Sequence, residues 1–493
     1  MINESLRRSC MTLLALFIIV RVVIMIFTPL RDPSESRYAV MAMNMARTGD
    51  FVIPHFYHHG EYQSFDGKTS LFFQIAGLSV KAFGVNEFAV RLPSLLAALG
   101  IVSMVFFTVR KLRDATTAWL AATLTMTTPL FYVFAGISLT DMVLTFCICG
   151  ALLSYMLFCN AEKKRTKKRF SILFFAFLGL GMLAKGPVAI VMAGLPVFLF
   201  TAITQRWKEL KDHSWILGPL MFLVLVVPMY ALLEKQNSGF LEQFFINENF
   251  KRFTTTTPDG YGDRYGSGHV TFKGMGFVWF VVATLPWLFL SGLMLPKFRK
   301  GDFPKLWARP LWGDPLTGMA LCVAFGITGF WCLSSVALVY YLLPTTPLVC
   351  MFLADMAVRD GRMSQPCFMR CVRVVAYITL FGTVIGLGVS TVAGMYKTSH
   401  VSGAMFKNMR DIRRDSSELS RYHYYVAGAT PYSAEFYLHD AVVQHPRESV
   451  EESLDASGDT ILLIRTKHIP KEGMQNRRLI YKKGSWAAFA PEG

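Results

Sequence analysis

Residues 10–39 read CMTLLALFIIVRVVIMIFTPLRDPSESRYA, an apolar run followed at once by a cluster of charged residues. The run at 10–28 is long enough to cross the roughly 30 Å of hydrocarbon in a bilayer as a helix. Ionisable groups at the edge of a membrane are costly unless something pairs or uses them, so the cluster is a candidate functional site. No small-residue cleavage motif follows the run. We therefore interpret it as a retained span and not as a cleaved signal peptide.

The composition indicates an integral membrane protein. Of the 493 residues, 53% are hydrophobic and 17% are charged, whereas roughly 25% are charged in typical soluble domains. By length and apolarity we predict a polytopic α-helical protein with about eleven or more transmembrane helices, at 10–28, 88–109, 115–133, 137–159, 169–183, 187–203, 214–233, 275–294, 316–334, 337–357 and 373–394. A further apolar run, 69–83, is too short to cross comfortably, and we expect it to form a surface or re-entrant helix.

The distribution of the net charge of +17 argues against a nucleic-acid-binding surface. Lysines and arginines recur in short loops between the predicted spans, as the positive-inside rule expects of cytoplasmic loops. This pattern places the amino terminus in the cytoplasm and the carboxyl terminus outside. The nine cysteines lie in or beside spans or cytoplasmic loops, so we predict neither a disulfide framework nor a zinc site.

We predict two domains, at 1–394 and 395–493. The first is the membrane domain, and it includes an external loop with surface helices at 29–87. A later external loop, 234–274, is rich in Gly, Tyr and Asp, as mobile substrate lids often are. The second domain contains strand-like alternation of apolar and polar residues, which favours a small external α/β unit.

The first external loop is expected to begin with a helix at 35–48. Its apolar residues recur at helical spacing, Ser34 can cap its start, and Gly49 can terminate it. The first turn then carries three polar side chains, those of Glu35, Arg37 and Tyr38.

The predicted topology brings further charged and aromatic side chains to the same external face, namely Lys68, Asp141, Lys185, Arg252, His269 and Tyr341. Each has an ordinary explanation, such as helix capping, snorkelling or an interfacial tyrosine belt. Together they suit a reaction that deprotonates an acceptor hydroxyl and stabilises a departing phosphate. A lipid or solute transporter with an outward-facing charged site is the alternative, but transporters usually carry paired repeats, which are not evident here.

These residues resemble lipid-phosphate-sugar-dependent glycosyltransferases of the protein O-mannosyltransferase class, and most closely the bacterial aminoarabinose (lipid A) transferase-like members, which have the GT-C fold. The segments that carry the resemblance are DPSESRYA at 32–39, TGDFVIPHF at 48–56, FDGK at 65–68, FGVNEFAVRLP at 83–93, LAKGP at 183–187 and PYSAEFY at 431–437. The resemblance covers most of the chain.

The resemblance implies an undecaprenyl-phosphate-linked sugar donor and a lipid A, glycolipid or polysaccharide acceptor. Transfer would invert the anomeric centre at the periplasmic face of the bacterial inner membrane. An acidic residue of the first loop would act as base. Many relatives carry an Asp-Glu pair where this chain has Ser34 and Glu35, so both Glu35 and Asp32 are candidates, and Glu35 is the first choice.

Other roles also follow from the resemblance. Lys68 and Lys185 would bind the donor phosphate, Asp141 would orient the acceptor or the base, and Tyr341 would line the phosphate pocket. Further substrate-binding candidates are Arg37, Tyr38, Arg252 and His269. We assign no cofactor with certainty, although some relatives bind a divalent metal, which His269 could hold here with Asp66 or Glu248.

Overall fold

The computed structural model describes residues 4–58, 61–254, 271–289, 312–359, 366–396, 403–416, 418–427, 430–439, 441–443, 452, 459–470, 474, 476–483 and 486–491. The elements up to residue 204 are α1 (Glu4–Phe27), α2 (Ser34–Thr48), β1 (His55–His58), β2 (Glu61–Ser64), α3 (Leu71–Phe83), α4 (Glu87–Leu112), α5 (Ala115–Thr127), α6 (Pro129–Phe134), α7 (Thr140–Cys159), α8 (Lys164–Lys185) and α9 (Val188–Thr204).

The later helices are α10 (Leu217–Gln236), α11 (Phe240–Glu242), a π-helix (Gln243–Lys251), α12 (Arg252–Thr254), α13 (Met275–Thr284), α14 (Pro315–Leu333), α15 (Thr345–Arg359), α16 (Pro366–Tyr396), α17 (Gly403–Asp415) and α18 (Tyr432–Leu438). Short 3₁₀ helices lie at Arg206–Asp212, Val339–Leu342, Leu419–Arg421 and Thr466–His468. The remaining strands are β3 (Tyr424–Val426), β4 (Ile461–Arg465), β5 (Arg477–Lys483) and β6 (Trp486–Pro491).

The fold is a helical membrane bundle. Six helices in the described part of the chain are long and apolar enough to cross a bilayer, at Glu4–Phe27, Glu87–Leu112, Thr140–Cys159, Leu217–Gln236, Pro315–Leu333 and Phe368–Gly386. The most enclosed of them is α7, with 83% of its most apolar stretch buried. Each of the eleven predicted spans contains a helix, and the number of crossings stays a prediction.

Two predicted spans are interrupted. The span at 115–133 is broken at Thr128, because Pro129 lacks the N–H that would continue the α-helical hydrogen bonds. The span at 337–357 starts as a 3₁₀ turn, and α15 begins only at Thr345. Both breaks create helix ends inside the bundle.

Two helices of the first loop pack side by side. The short run at 69–83 forms α3, a helix of 13 residues that packs on α2 and α4. Gly77 permits the close approach of α2, because a Cβ there would lie 3.2 Å from the Ala42 carbonyl oxygen. The prediction that α2 ends at Gly49 is confirmed, with φ at 77°. The predicted cap at Ser34 is wrong, since Ser34 is the first helical residue and Pro33 precedes it without a side-chain cap.

The chain ends in a mixed four-stranded sheet of order β3-β4-β6-β5. Strand β3 is parallel to β4, with Tyr424 opposite Ile461, and the other two pairings are antiparallel. The alternating segments seen in the sequence contain β3 and β4. A separate hairpin joins β1 and β2 within the first loop. The boundary at residue 394 stays a prediction.

Helix α18 fastens this last part of the chain to the first loop. The Tyr437 hydroxyl accepts the Leu30 N–H at 2.9 Å and donates to Glu87 at 3.0 Å. Lys407 also bonds Glu87, at 2.6 Å. We call the side of the bundle that carries α2, α3 and α18 the capped face.

The buried carboxyl of Glu435 makes this contact sensitive to pH. It accepts the Asn44 amide at 3.4 Å and the Tyr57 backbone N–H. Burial raises the pKa of Glu435 from 4.5 to about 7, because these bonds and nearby Arg47 offset the lost hydration only in part. The folded chain therefore holds a proton that the unfolded chain releases, and its stability falls as the pH rises from about 4.5 to about 7.

Between pH 4.5 and about 7 we expect the free energy of unfolding of the wild type to fall by roughly 3 kcal/mol. Glu435→Gln should abolish this fall, because glutamine cannot ionise. Melting temperatures of the wild type and the variant, compared from pH 4.5 to 7.5, measure the effect. Asp411→Asn, at a partly exposed carboxylate of α17, is the control and should keep the wild-type profile. Parallel profiles for wild type and Glu435→Gln would contradict the assignment.

Candidate functional site

A cavity of about 470 Å³ opens beside the capped face. Four of the residues singled out in the sequence line it, Lys68, Asp141, Lys185 and Tyr341. Much of the remaining wall is apolar or aromatic, including Val191, Met192, Phe245, Phe250, Phe253, Phe330 and Trp331. Charged groups at one end of an apolar cavity suit a ligand with an anionic head and a hydrocarbon tail.

The charged end of this large cavity is organised by an ion pair. Lys185 Nζ lies 2.5 Å from Asp141 Oδ1, and the two side chains are only 12% and 6% exposed. Asp141 is in the first turn of α7, where the helix dipole favours an anion. The Lys185 ammonium also lies 4.5 Å from the centre of the Tyr341 ring. The pair thus holds a cation at the cavity wall with little freedom to move.

Gly186 allows helix α8 to end directly after Lys185. Its φ of +89° is a conformation that side chains rarely adopt, and a Cβ there would lie 2.5 Å from the Phe244 ring. Phe244 belongs to the π-helix, a rare element that is frequent at functional sites. The π-helix lines the cavity with Phe245, Ile246, Glu248, Asn249 and Phe250. Part of the predicted lid loop therefore forms cavity wall, whereas its residues 255–270 lie outside the described part of the chain.

The two candidate bases lie at a different, smaller cavity of about 190 Å³, together with Ser34. Glu35 is buried in an ion pair with Arg91, with contacts of 2.8 and 3.1 Å. The backbone N–H groups of Arg31 and Ser138 also donate to it, at 3.1 and 3.3 Å. A carboxylate offers about four acceptor positions, so these four hydrogen bonds occupy all the acceptor positions of Glu35.

The electrostatics of Glu35 agree with this geometry. Burial alone would raise its pKa, but Arg91 and the two N–H donors hold the pKa below the ordinary value of a glutamate. A carboxylate with a lowered pKa and filled acceptor positions is a weak base. The structure therefore favours a structural role for Glu35 over the catalytic role considered from the sequence.

Asp32 is held differently. Its carboxylate accepts the Ser433 N–H at 3.0 Å and short hydrogen bonds from the hydroxyls of Ser36 and Ser433. Hydroxyl donors rotate readily, so these two hydrogen bonds can be exchanged for a bond from another hydroxyl.

The remaining predicted residues lie behind or beyond the cavity walls. Arg37 is 9% exposed and lies over the rings of Tyr38, Phe65 and Tyr432, at 5.4 to 5.9 Å from their centres. Tyr38 is 7% exposed and lies within electrostatic range of Lys185 and Asp141. Both side chains support α2.

Two predictions cannot be compared with side-chain positions. Arg252 begins α12, but its side chain and the whole of His269 lie outside the described residues. Glu248 lines the large cavity. Among the residues that the structure describes, no group of three His, Cys, Asp or Glu side chains is arranged to hold a metal.

Sequence reasoning missed Arg91 and Ser433. Arg91 lies inside the FGVNEFAVRLP segment, and a lone arginine in the first turns of an apolar helix could have drawn attention to it. Ser433 gave no signal, because its partner Asp32 lies 401 positions earlier in the chain.

Comparisons with known proteins agree with this architecture. Residues 10–243 match the family described as dolichyl-phosphate-mannose-protein mannosyltransferase. The undecaprenyl phosphate-alpha-4-amino-4-deoxy-L-arabinose arabinosyl transferase of Enterobacter sp. (strain 638) is 28% identical over 46% of this chain and 40% of its own length. The protein of the same name from Pectobacterium carotovorum is 25% identical over 73% of this chain and 60% of its own length. The chain thus matches about half the length of such relatives.

Solved structures show the same fold. ArnT from Cupriavidus metallidurans bound to undecaprenyl phosphate has a TM-score of 0.73 at 17% identity, with 97% of each chain covered. An oligosaccharyltransferase from Archaeoglobus fulgidus has a TM-score of 0.50 at 14% identity, over 89% of this chain and 60% of the other. The resemblance to lipid-phosphate-sugar glycosyltransferases of the protein mannosyltransferase and aminoarabinose transferase type is confirmed, and this multi-pass inner-membrane protein shares its GT-C fold with them.

Proposed function

We propose that the chain is an inverting glycosyltransferase that moves one monosaccharide from an undecaprenyl-phosphate-linked donor to a lipid A, glycolipid or polysaccharide acceptor. In this proposal the capped face is periplasmic, the amino terminus is cytoplasmic, and residues 395–493 form a periplasmic α/β domain on a bundle of about eleven transmembrane helices. The names of the relatives support the donor class.

The observation that carries the proposal is the buried Lys185–Asp141 pair at the charged end of the apolar cavity. The polyprenyl tail would lie along the aromatic wall, and its phosphate would approach the ammonium groups of Lys185 and Lys68. Tyr341 would line the phosphate pocket. Arg252 and His269 are further proposed contacts of the substrate.

Transfer forms a bond from the acceptor oxygen to the anomeric carbon while the bond from that carbon to the phosphate oxygen breaks. The bonding electrons leave with the polyprenyl phosphate, where Lys68 and Lys185 stabilise the growing charge. Fixed cations in a site shielded from water are worth far more than the same charges in solvent. Asp141 keeps Lys185 in place.

The acceptor proton goes to a carboxylate of the first loop. We propose Asp32 for this step, because the four acceptor positions of Glu35 are filled by Arg91 and backbone donors. The hydroxyl of Ser433 can rotate away from Asp32 as the hydroxyl of the acceptor takes its place. Inversion follows from a single displacement at the anomeric carbon.

Lys185→Met tests the donor site. The variant removes one phosphate-binding cation, and we expect transfer to fall about a hundredfold, together with weaker donor binding. The assay uses purified chain, a panel of radiolabelled polyprenyl-phosphate sugars and a lipid extract.

Lys164→Met is the matched control, because Lys164 is an exposed lysine at the opposite end of the same helix. It should behave as the wild type. Failure of the wild type to turn over any donor of the panel would overturn the proposed activity. Full transfer by Lys185→Met would remove Lys185 from the site.

A further inference from the structure

A third cavity, of about 550 Å³, lies between α1 and α16. Residues from the first half of each helix line it, and the two helices pack against each other. Helix α1 then runs to the capped face, where the Leu30 N–H bonds Tyr437. Arg8, in the cavity wall, is roughly 28 Å along α1 from its end at Phe27. The third cavity is thus remote from Asp32, and the proposed transfer does not use it.

Two arginines bring positive charge to the third cavity, Arg8 from α1 and Arg373 from α16. Glu4 also lines it and accepts a bond from Arg8 at 3.2 Å, but the side chains of this pair are 68% and 75% exposed. Such exposed pairs contribute little and exchange readily. The two arginines therefore leave the cavity wall with a net positive charge. Like charges at one cavity repel each other, and an anion between them removes that repulsion.

Hydroxyl groups stand beside the two arginines. Ser5, Ser9 and Tyr377 line the third cavity, and each hydroxyl can donate a hydrogen bond to an oxyanion. The bond from Arg373 to the Met369 carbonyl, at 3.3 Å, uses Nε. The Nη groups of a guanidinium can hold two oxygens of one phosphate. Arginine and hydroxyl donors around one space thus suit a phosphate group.

Farther along both helices the same faces become apolar. On α1 the residues two and three turns after Thr12 are Ile19 and Val23, which are 61% and 46% exposed. On α16 the residue one turn after Tyr377 is Phe381, which is 70% exposed. The stripe from Thr12 to Val23 is about 16 Å long, close to half of the roughly 30 Å of hydrocarbon in a bilayer. A ligand with its phosphate in the cavity would lay an apolar tail along one leaflet.

We propose that the third cavity binds an anionic glycerophospholipid of the phosphatidylglycerol type. Its phosphate lies between Arg8 and Arg373, its headgroup hydroxyls reach Ser5 and Ser9, and its acyl chains follow the two apolar stripes. A net anionic lipid is favoured over a zwitterionic one, because two arginines and a single carboxylate line the cavity. In the proposed orientation this end of the bundle is cytoplasmic, so the lipid belongs to the cytoplasmic leaflet.

Topogenic charge is the simpler explanation of the two arginines, since both stand at predicted cytoplasmic ends of spans. That explanation requires only that the charges stay in water. It gives no reason for arginines from the first and the last span to line one cavity, or for hydroxyl groups to accompany them. Basic cavities between membrane helices on the cytoplasmic side are a known type of site for anionic lipid headgroups.

Lipid binding to the full chain in detergent, freed of native lipid, tests the site. The probes are phosphatidylglycerol, phosphatidylethanolamine and glycerol phosphate, and the readouts are the melting temperature against probe concentration and the lipids retained in native mass spectrometry. We expect phosphatidylglycerol to bind the double variant Arg8→Gln, Arg373→Gln at least about tenfold more weakly than the wild type. Equal affinity of the wild type for the two lipids, or tighter binding of glycerol phosphate than of phosphatidylglycerol, would overturn the proposal.

A matched double variant separates this site from a general attraction of anionic lipid to a basic surface. Arg7→Gln combined with Arg370→Gln removes the same charge from exposed positions of the same two helices, and neither residue lines the cavity. This control should bind phosphatidylglycerol as the wild type does. Equal loss of the lipid by both double variants would show that only surface charge attracts it.

A neutral substitution tests the shape of the third cavity. Ser9→Phe keeps every charge but fills the space beside Arg8, so it should weaken binding of phosphatidylglycerol as the loss of the arginines does. Without lipid, the two double variants should melt close to the wild type, because the replaced arginines are exposed. Wild-type affinity in both Ser9→Phe and Arg8→Gln, Arg373→Gln would refute the site. Binding needs no turnover, so these results stand whether or not the chain transfers a sugar.

Discussion

Replacing Asp32 by asparagine should lower sugar transfer to a hydroxyl acceptor by about a thousandfold, the middle of the range for loss of a general base. Donor binding should persist, because the large cavity lies apart from this side chain. Azide should restore donor consumption and give a glycosyl azide of inverted configuration, since azide attacks without losing a proton. Mass spectrometry and nuclear magnetic resonance of the product measure the outcome.

Three further variants distinguish loss of the base from other causes of lost activity. Asp50→Asn is the control, because Asp50 lies in the same loop and only caps a turn, accepting the Val52 N–H at 2.9 Å. Asp141→Asn should lose turnover with azide as well, because it disturbs Lys185. Azide rescue in Glu35→Gln but not in Asp32→Asn would contradict our choice and identify Glu35 as the base.

Replacing Arg91 by methionine should destabilise the chain by about 3 to 5 kcal/mol, the usual effect of removing one partner of a buried ion pair. Arg91 also donates to the carbonyls of Met25, Thr28 and Pro29, at 2.6 to 3.1 Å, so the connection between α1 and α2 loses these three hydrogen bonds as well. Denaturant titration of the purified protein in detergent measures the loss.

A double substitution separates the energy of the ion pair from that of the other contacts of Arg91 and Glu35. Glu35→Gln combined with Arg91→Met should be less destabilised than the sum of the single variants, because neither charge is then left unmatched. Arg8→Met breaks an exposed pair with Glu4 and should change stability by less than about 1 kcal/mol. Wild-type stability of Arg91→Met would show that the pair does not hold the first loop.

The fold was predictable where the determinants are local. Apolar length locates a helix in each predicted span, and the periodicity before Gly49 locates α2. Interruptions within spans were harder, because Thr128 and Pro129 sit in a run whose composition is otherwise continuous. The sequence shows which segments are apolar, and tertiary packing decides where each helix breaks.

The candidate site was predictable in its members and not in their pairing. Lys68, Asp141, Lys185 and Tyr341 line one cavity, as their common predicted face suggested. From the sequence, Asp141 could be a helix cap and Lys185 a snorkelling lysine. Only the fold shows that the two side chains form an ion pair. The partnership of Glu35 with Arg91 joins positions 56 apart, beyond the reach of helical periodicity.

The hydrogen bonds between Ser433 and Asp32 set an order for the biogenesis of this protein. The two residues are 401 positions apart, so a nascent chain still shorter than 433 residues has every predicted transmembrane helix but lacks the two hydrogen bonds that Ser433 donates to Asp32. Maturation of the centre near the start of the chain thus waits for translation of its far end. Insertion into the membrane and acquisition of a finished site are separate events in time.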